Sequence, residues 1–591
     1  MKKATKLFVL LVAIAMMASG LLTGCTKTTP VPTQAPATDA PAKTDAAATE
    51  PAVSTPAEEL TLDIFDNAAN YQGEQPGWFA VVVKNKFNLK LNILAPQVSG
   101  DQLYQTRAAA GNLGDIVIID NAQWVDCIEA GLVVDLTDIL PKTANLSKYM
   151  NHFTGFNKSF EVTKGKIFGM PDFIADTSPT TFSETQPYSS PELYWPYYKE
   201  IGMPEIKDLN GLLDVLDQIQ KLHPTTKDGK PSIPITIWKD WDTNYMEAAC
   251  WIGQWYGYQC DNTMSSIQLG SDGDIIQMSD DKSSYKKALQ FLFDANQRGL
   301  LDQDGASQQW MDVNAKYTNG QVNLMWYTWS RGFYNSVDKA RNGDGWIVIP
   351  ISDLNISQPG DAYYGQSRVW CLGSKAKDPD RTMEFMDWLN SPEAMRYREA
   401  GIEGFTYEKA PNGKTFQYTE LGWNAFTNNT PVPAELGGGG YQDGISAINT
   451  CIMGGFVIDP DTGEFYNPNY WSIEVEKNKN TLTNEWSARF GGAANPTEYF
   501  LKNNMMKVTP QVNADLGVDS SDIKTIRSQC AQILKDTSWK MCYAKDQAEF
   551  DKLWADMKTQ LQGLGWDDLV KFDTAKAEKK VALRNAALAG E

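Results

Sequence analysis

Histidine is almost absent: His152 and His223 are the only two in 591 residues. That scarcity argues against His-ligated metal sites and against nucleophiles activated by an imidazole. No C-x-x-C pair occurs, which removes the zinc-ribbon and thioredoxin-like classes. H-E-x-x-H and G-x-S-x-G are missing as well. The Gly413-Lys414-Thr415 triplet looks like the end of a phosphate loop, but Glu408 stands where that loop requires its first glycine. Positive charge is in deficit, with 53 Lys and Arg against 73 Asp and Glu and a net charge of −20. Such a chain is a poor ligand for nucleic acid or an anionic membrane surface, and its charge serves solubility. Beyond residue 22 no apolar run approaches the roughly 20 residues a membrane-spanning helix needs.

What is present begins with MKKATKLFVLLVAIAMMASGLLTGC. Lys2, Lys3 and Lys6 precede an apolar run over 7–22, about 24 Å long as a helix and so short for a bilayer. Residues 1–24 are therefore expected to be a secretory signal. Leu22-Thr23-Gly24-Cys25 resembles the lipobox of bacterial lipoproteins, which implies cleavage before Cys25 and its lipidation; the alternative is an ordinary signal with a chance cysteine. Removing the three lysines with 1–24 takes the net charge from −20 to −23. Residues 25–59, rich in Pro, Thr and Ala and free of aromatics, have almost nothing to bury and are expected to be a disordered tether to the membrane. Apart from Cys25, seven cysteines remain, an odd number. Cys250–Cys260 and Cys530–Cys542 are the sequence-local disulfide candidates, although spacing alone does not fix pairing.

The remaining chain, about 530 residues, is too long for one core and implies at least two domains. Apolar alternation predicts strands at 60–66 and 89–94, and the run Ile116-Val-Ile-Ile119 between Asp115 and Asp120 predicts a buried parallel strand. Helices are expected at 78–87, 101–110 and 122–130, and strand-helix alternation argues for an α/β sheet. The turn-rich DTSPTTFSETQPYSSPE over 176–192 is expected to cross between lobes. Further helices are expected at 192–201, 209–222, 246–256, 284–297, 380–389, 392–400, 497–504, 520–535 and 547–561. Further strands are expected at 233–238, 320–326, 346–350 and 369–372. Residues 410–500, with many Asn and the glycines of 437–440, resist assignment.

Several segments are similar to the extracellular solute-binding lipoproteins of sugar ABC transporters. They are AAAGNLGDIV (108–117), GKIFGMP (165–171), YTNGQVNLM (317–325), DPDRTMEFMDWLNSPEAMRY (378–397) and GIEGFTY (401–407), with the C-terminal 550–569. The GIEGFTY block in particular resembles the large lipoproteins of family 1, the maltose-binding-protein-like group. The resemblance implies a two-lobed, periplasmic-binding-protein-like α/β fold of type II that closes on ligand about a hinge. By that analogy 60–171 plus 345–405 form one lobe and 175–340 plus 410–591 the other. It also implies a monomer working with the membrane permease of an ABC importer, with no cofactor. The chain departs from the family at 225–234, TTKDGKPSIP, where Asp228 is the only acid in a loop that often resembles a calcium site. Calcium wants six to eight oxygens, several from carboxylates, so no metal is assigned. Gly114 replaces a usual proline, with no consequence expected.

In open α/β sheets ligands sit beyond the carboxyl ends of the strands. That rule selects Asp66, Asn67 and Tyr71; Asp120, Asn121 and Trp124; Trp238, Asp240, Trp241 and Asn244; Trp326, Tyr327, Trp329 and Arg331; and Arg368 and Trp370. The chemistry suits a sugar, whose C–H faces lie on indole or phenol while its hydroxyls need carboxylates, amides and Arg. Nineteen Trp exceed what a core of this size requires, yet any single one can be packing. Trp388, Trp486, Trp539, Trp554 and Trp566, on helix patterns or in the tail, are assigned to the core. Asp66 and Asp120 can equally cap the structure that follows them. The expectation is a lipid-anchored, non-enzymatic receptor that captures an oligosaccharide. The rivals are a surface glycoside hydrolase or lyase, which needs two facing carboxylates, and a receptor for peptides or acidic polymers.

Overall fold

The computed structural model describes residues 58–100, 102–422, 424–517 and 519–589. The expected signal, Cys25 and nearly all of the spacer lie outside the described residues. Glu59, placed by the sequence at the end of the spacer, is already tied to the body through Lys84 and, at 3.2 Å, Lys90.

Two sheets organise residues 58–589. The first has the strand order Gly73–Glu74, Leu89–Leu94, Leu60–Asp66, Ile116–Asp120, Arg368–Leu372 and Met170–Pro171. Leu60–Asp66 is parallel to both of its neighbours, whereas Arg368–Leu372 returns antiparallel and sets Arg368 opposite Asp120. Leu62, Ile64, Leu91, Ile93, Ile116 and Ile118 fill one face, and Phe65, Val117 and Ile119 the other. That two-sided burial is why 116–119 reads as an apolar run, whereas Leu60–Asp66 and Leu89–Leu94, less evenly buried, read as alternation.

The second sheet has the order Trp346–Val348, Ser189–Tyr194, Val322–Tyr327 and Ile233–Ile235. Helix Leu209–Leu222 shows how its cover forms. Asp208 accepts a hydrogen bond from Gly211 N at 2.8 Å at the helix start, and Leu212, Leu213, Leu216 and Ile219 face the core. Helices Ser521–Cys542 and Gln547–Gly563, and the start of Trp566–Ala589, pack into the same cluster. The five tryptophans assigned to cores are all buried: Trp388 in the first cluster, and Trp486, Trp539, Trp554 and Trp566 in the second.

The hydrophobic clusters redraw the expected lobes. Trp346, Ile349 and Ile356 pack with the second sheet, whereas Ala425, Val432, Tyr441, Ile452 and Tyr466 pack with the first. Residues 345–358 therefore move from the first expected lobe to the second, and 410–466 move the other way. The 192–201 helix is also shorter than expected: Ser189–Tyr194 is a strand and the helix is Trp195–Glu200.

Of the two disulfide candidates, Cys250–Cys260 is formed. Cys530 and Cys542 are free and lie in one helix, Ser521–Cys542, where twelve residues of separation are about 18 Å and forbid a bridge.

Three crossings join the two bodies, at 172–188, 359–367 and 471–482. They are bonded to one another. The Asp361 carboxylate accepts from Thr177 Oγ1 at 2.6 Å, Ser183 N at 3.0 Å and Ser183 Oγ at 2.6 Å. At the third crossing Tyr470 donates its hydroxyl to Glu184 Oε2 at 3.0 Å. Gly360 allows the backbones to approach, since a Cβ there would lie 2.1 Å from the Pro179 carbonyl oxygen. No helix among the described residues is long and apolar enough to cross a membrane.

Candidate functional site

The first sheet delivers a polar cluster at its strand ends. Asn67 Nδ2 donates to Asp120 Oδ2 at 2.7 Å and to Gln123 Oε1 at 3.4 Å. Arg368 Nε lies 3.9 Å from Asp120 Oδ1, and the backbone N–H of Asn121 donates to Ser367 O at 3.0 Å. Asp172, which the strand-end rule did not select, accepts from the Arg368 backbone N–H at 3.1 Å. Burial pushes its carboxyl up to about 7, against the nearby Arg368 charge. Asn67 Oδ1, Asn121 Oδ1, Asp172 Oδ2 and Arg368 Nε are buried without a hydrogen-bond partner. Each such atom costs on the order of 1–3 kcal/mol, and four of them gather at this one edge.

Three residues selected with them serve the fold. Asp66 is fully buried and accepts from Ala68 N and Asn449 N, both at 2.9 Å, which ties the 447–450 segment to the end of the strand. Desolvation raises its pKa. Trp124 is fully buried against Phe156 and Phe160 at 5.3 and 5.1 Å. Trp370 is buried, donates to Thr450 Oγ1 at 2.9 Å, and lines a cavity of about 580 Å³ within the first body. Tyr71 is partly exposed and its hydroxyl donates to Glu74 O at 2.8 Å.

The second sheet delivers an aromatic shelf. Trp238 and Trp326 stack at 4.8 Å and are almost fully buried, so they form its foundation. Above them lies half-buried Trp241, 5.2 Å from Trp238 and 6.1 Å from Trp329. Trp329 is 46% exposed and Phe333 38% exposed. Trp310, which the strand-end rule missed because it opens a helix, packs 4.7 Å from Trp241 and 5.3 Å from Trp329. Asp240 holds it there by accepting from Trp310 N at 3.0 Å. Asn244 donates to Asn262 O at 2.9 Å and so joins two loops. Arg331 donates to the fully buried Glu192 at 3.1 Å.

The polar cluster and the shelf meet along the crossings. Gln366 N donates to Asp172 O at 2.8 Å, and Gln366 and Phe173 line a cavity of about 370 Å³ that reaches Tyr188. Tyr188, Pro359 and Gln511 are shared with a second cavity of about 240 Å³ that reaches Glu247 and Trp251. Trp251 Nε1 donates to Glu247 Oε1 at 2.7 Å, and Trp251 packs 4.8 Å from Tyr327, itself 5.6 Å from Trp329. Tyr327 is mostly buried, with its hydroxyl 3.5 Å from Glu247 Oε1. Burial raises the Glu247 pKa. Hydrogen bonds, shared cavity linings and ring contacts therefore link the polar cluster to the exposed indoles. Among the described residues no group of three His, Cys, Asp or Glu could hold a metal ion.

Comparison with known proteins accords with this architecture. The fructooligosaccharide ABC transporter substrate-binding protein FusA of Streptococcus pneumoniae is 22% identical over 255 residues, 41% of this chain and 44% of that one. The chain thus matches less than half the length of this curated relative. In structure, FusA bound to kestose superposes with a TM-score of 0.60 at 14% identity, covering 88% of this chain and 99% of the other. An HMO-binding, ABC-transporter-associated solute-binding protein of Bifidobacterium longum infantis gives a TM-score of 0.60 at 13% identity, covering 89% and 99%. These likenesses establish the two-lobed α/β fold. Residues 84–405, more than half of the sequence, match the bacterial extracellular solute-binding protein model, and the chain belongs to that family.

Proposed function

We propose that this protein captures an oligosaccharide between its two lobes and delivers it, without chemical change, to the membrane permease of an ABC importer. The observation that carries the proposal is the exposed Trp329 shelf joined through the crossings to the Asn67–Asp120–Arg368 cluster. Indole faces take the C–H faces of sugar rings, and the amides, carboxylates and guanidinium take hydroxyls. The relatives described as binding fructooligosaccharide, kestose and HMO support the same ligand class. The lobes are the two hydrophobic clusters, and they close by bending at the three crossings. The protein acts as a monomer held to the membrane by a lipid on Cys25.

A thermal-shift panel of neutral oligosaccharides, uronate oligosaccharides and peptides tests the ligand class. A ligand at a hundredfold excess over its Kd adds about 2.7 kcal/mol to stability. The expected result is a shift with one carbohydrate class and recovery of that sugar intact. A cleaved sugar would make the protein an enzyme, and shifts with peptides alone would overturn the carbohydrate assignment. For the anchor, Cys25→Ala is expected to release the protein from the membrane fraction or leave it unprocessed; undiminished lipid labelling would sink that assignment.

A further inference from the structure

Arg584, on the C-terminal helix Trp566–Ala589, is 7% exposed. Its Nη2 donates to Gln259 Oε1 at 2.8 Å, whereas Nε and Nη1 are buried without a partner. Two other arginines, buried Arg527 and partly buried Arg396, are neutralised. Arg527 lies 2.7 Å from Asp573 and 2.6 Å from Asp519, and Arg396 lies 2.8 Å from Asp459. Arg584 forms no ion pair among the described residues. Nearby Asp261 is engaged by Lys580, one turn earlier on the helix, at 3.0 Å. Burial draws the Arg584 pKa down only to about 10, so its positive charge persists at neutral pH. An unpaired buried charge is costly, and perturbed ionisable groups concentrate at binding and catalytic sites.

Arg584 lines the 240 Å³ cavity that is also lined by Trp251, whose ring packs 4.8 Å from Tyr327 of the aromatic shelf. Gln254, Gln259 and Gln511 also line it, as do Lys580, paired with Asp261, and Glu247, engaged by Trp251. A cavity this size is below the usual range for a whole drug-sized ligand and suits a single end unit. We infer that this cavity is an end subsite for a sugar unit carrying one negative charge, a carboxylate or a sulfate ester, with Arg584 as its counter-charge. The inference rests on the oligosaccharide reading of the cleft and narrows its ligand class. A guanidinium held in a water-poor pocket forms stronger hydrogen bonds to an anion than to a neutral hydroxyl.

The test uses the full chain and Arg584→Gln, with sodium glucuronate, glucose 6-sulfate and glucose as probes at matched ionic strength. Without ligand, Arg584→Gln is expected to keep or raise the Tm, because it removes a buried charge that has no ion-pair partner among the described residues and only the nearby Asp261 charge to favour it. A large fall would make Arg584 a structural residue and overturn the inference. In the native protein, at least one anionic probe at saturating concentration is expected to raise the Tm by about 3 °C or more while glucose does not. Arg584→Gln is expected to abolish that difference. A response to glucuronate alone assigns the carboxylate, and a response to glucose 6-sulfate alone assigns the sulfate ester. Equal responses to all three probes, or an anion preference that survives in Arg584→Gln, would overturn the subsite. Neutral oligosaccharides that still shift the native protein in the wider panel would leave the receptor function standing.

Discussion

Trp326→Ala is expected to cost about 3–5 kcal/mol of folding stability, whereas Trp329→Ala should cost under about 1 kcal/mol and weaken oligosaccharide binding roughly thirtyfold. The two residues are three apart but occupy different environments. Trp326 is 1% exposed, donates to Thr236 O at 3.2 Å and stacks on Trp238. Truncating it leaves a ring-sized hole in the middle of the second cluster. Trp329 lies beyond the strand end on the turn Thr328–Phe333, where its ring is half in solvent. The loss there is a platform for a sugar face. Urea midpoints would measure the first effect and titration calorimetry the second. Normal affinity in Trp329→Ala would remove the shelf from the binding site, and a small stability loss in Trp326→Ala would show that the surrounding rings collapse to fill the gap.

The second large effect concerns pH. Glu192 is fully buried, receives one hydrogen bond from Arg331 and leaves Oε2 without a partner. Burial pushes its pKa up to about 8 despite the Arg331 charge. Because the folded pKa is above the unfolded value, the contribution of Glu192 to stability is full below about 4.5 and is lost as pH rises towards 8. Removing the guanidinium with Arg331→Met raises the folded pKa further. That variant should therefore match the native protein at pH 6 and fall behind above pH 8, by about 1.4 kcal/mol for each further unit until its own pKa is reached. Adding Glu192→Gln should flatten the slope. Denaturant unfolding at pH 6, 8 and 9 decides the matter, and a pH-independent loss would show that Arg331 acts through packing alone. The pair also fixes the turn that carries Trp329, so Arg331→Met should weaken ligand binding with it.

Much of the first sheet was legible from apolar alternation over 60–66 and 89–94 and from the apolar run of Ile116–Asp120, which is buried on both faces. The Asn67–Asp120–Arg368 cluster followed from the strand-end rule, although Arg368 reaches Asp120 only through an antiparallel register that the sequence does not display. The strand-end rule failed where position and exposure part company. Trp124, Trp238 and Trp326 lie beside strand ends yet face inward. Ser189–Tyr194 was hidden because its serines and glutamate look like turn residues. All six positions are buried, with Ser189 Oγ donating to Trp326 O at 3.0 Å and Glu192 paired with Arg331. The 410–470 stretch has little periodicity because short 3₁₀ turns and Asn or Asp side chains hold it in place. Asn429, for example, accepts from Gln442 N at 2.9 Å and donates to Asp443 at 2.8 Å. Arg584 meets Gln259 across 325 positions of sequence, a distance over which local pattern carries no information.

The Asp361 clasp has a mechanical corollary. Three chain segments tied to one another by hydrogen bonds restrict how the two bodies move relative to each other, as a door on three leaves does. Asp361 binds the first leaf to the second, and Tyr470 binds the third to the first through Glu184. The two bodies are thereby restrained relative to each other when the chain folds, which lowers the ordering cost left for the proposed capture of a ligand.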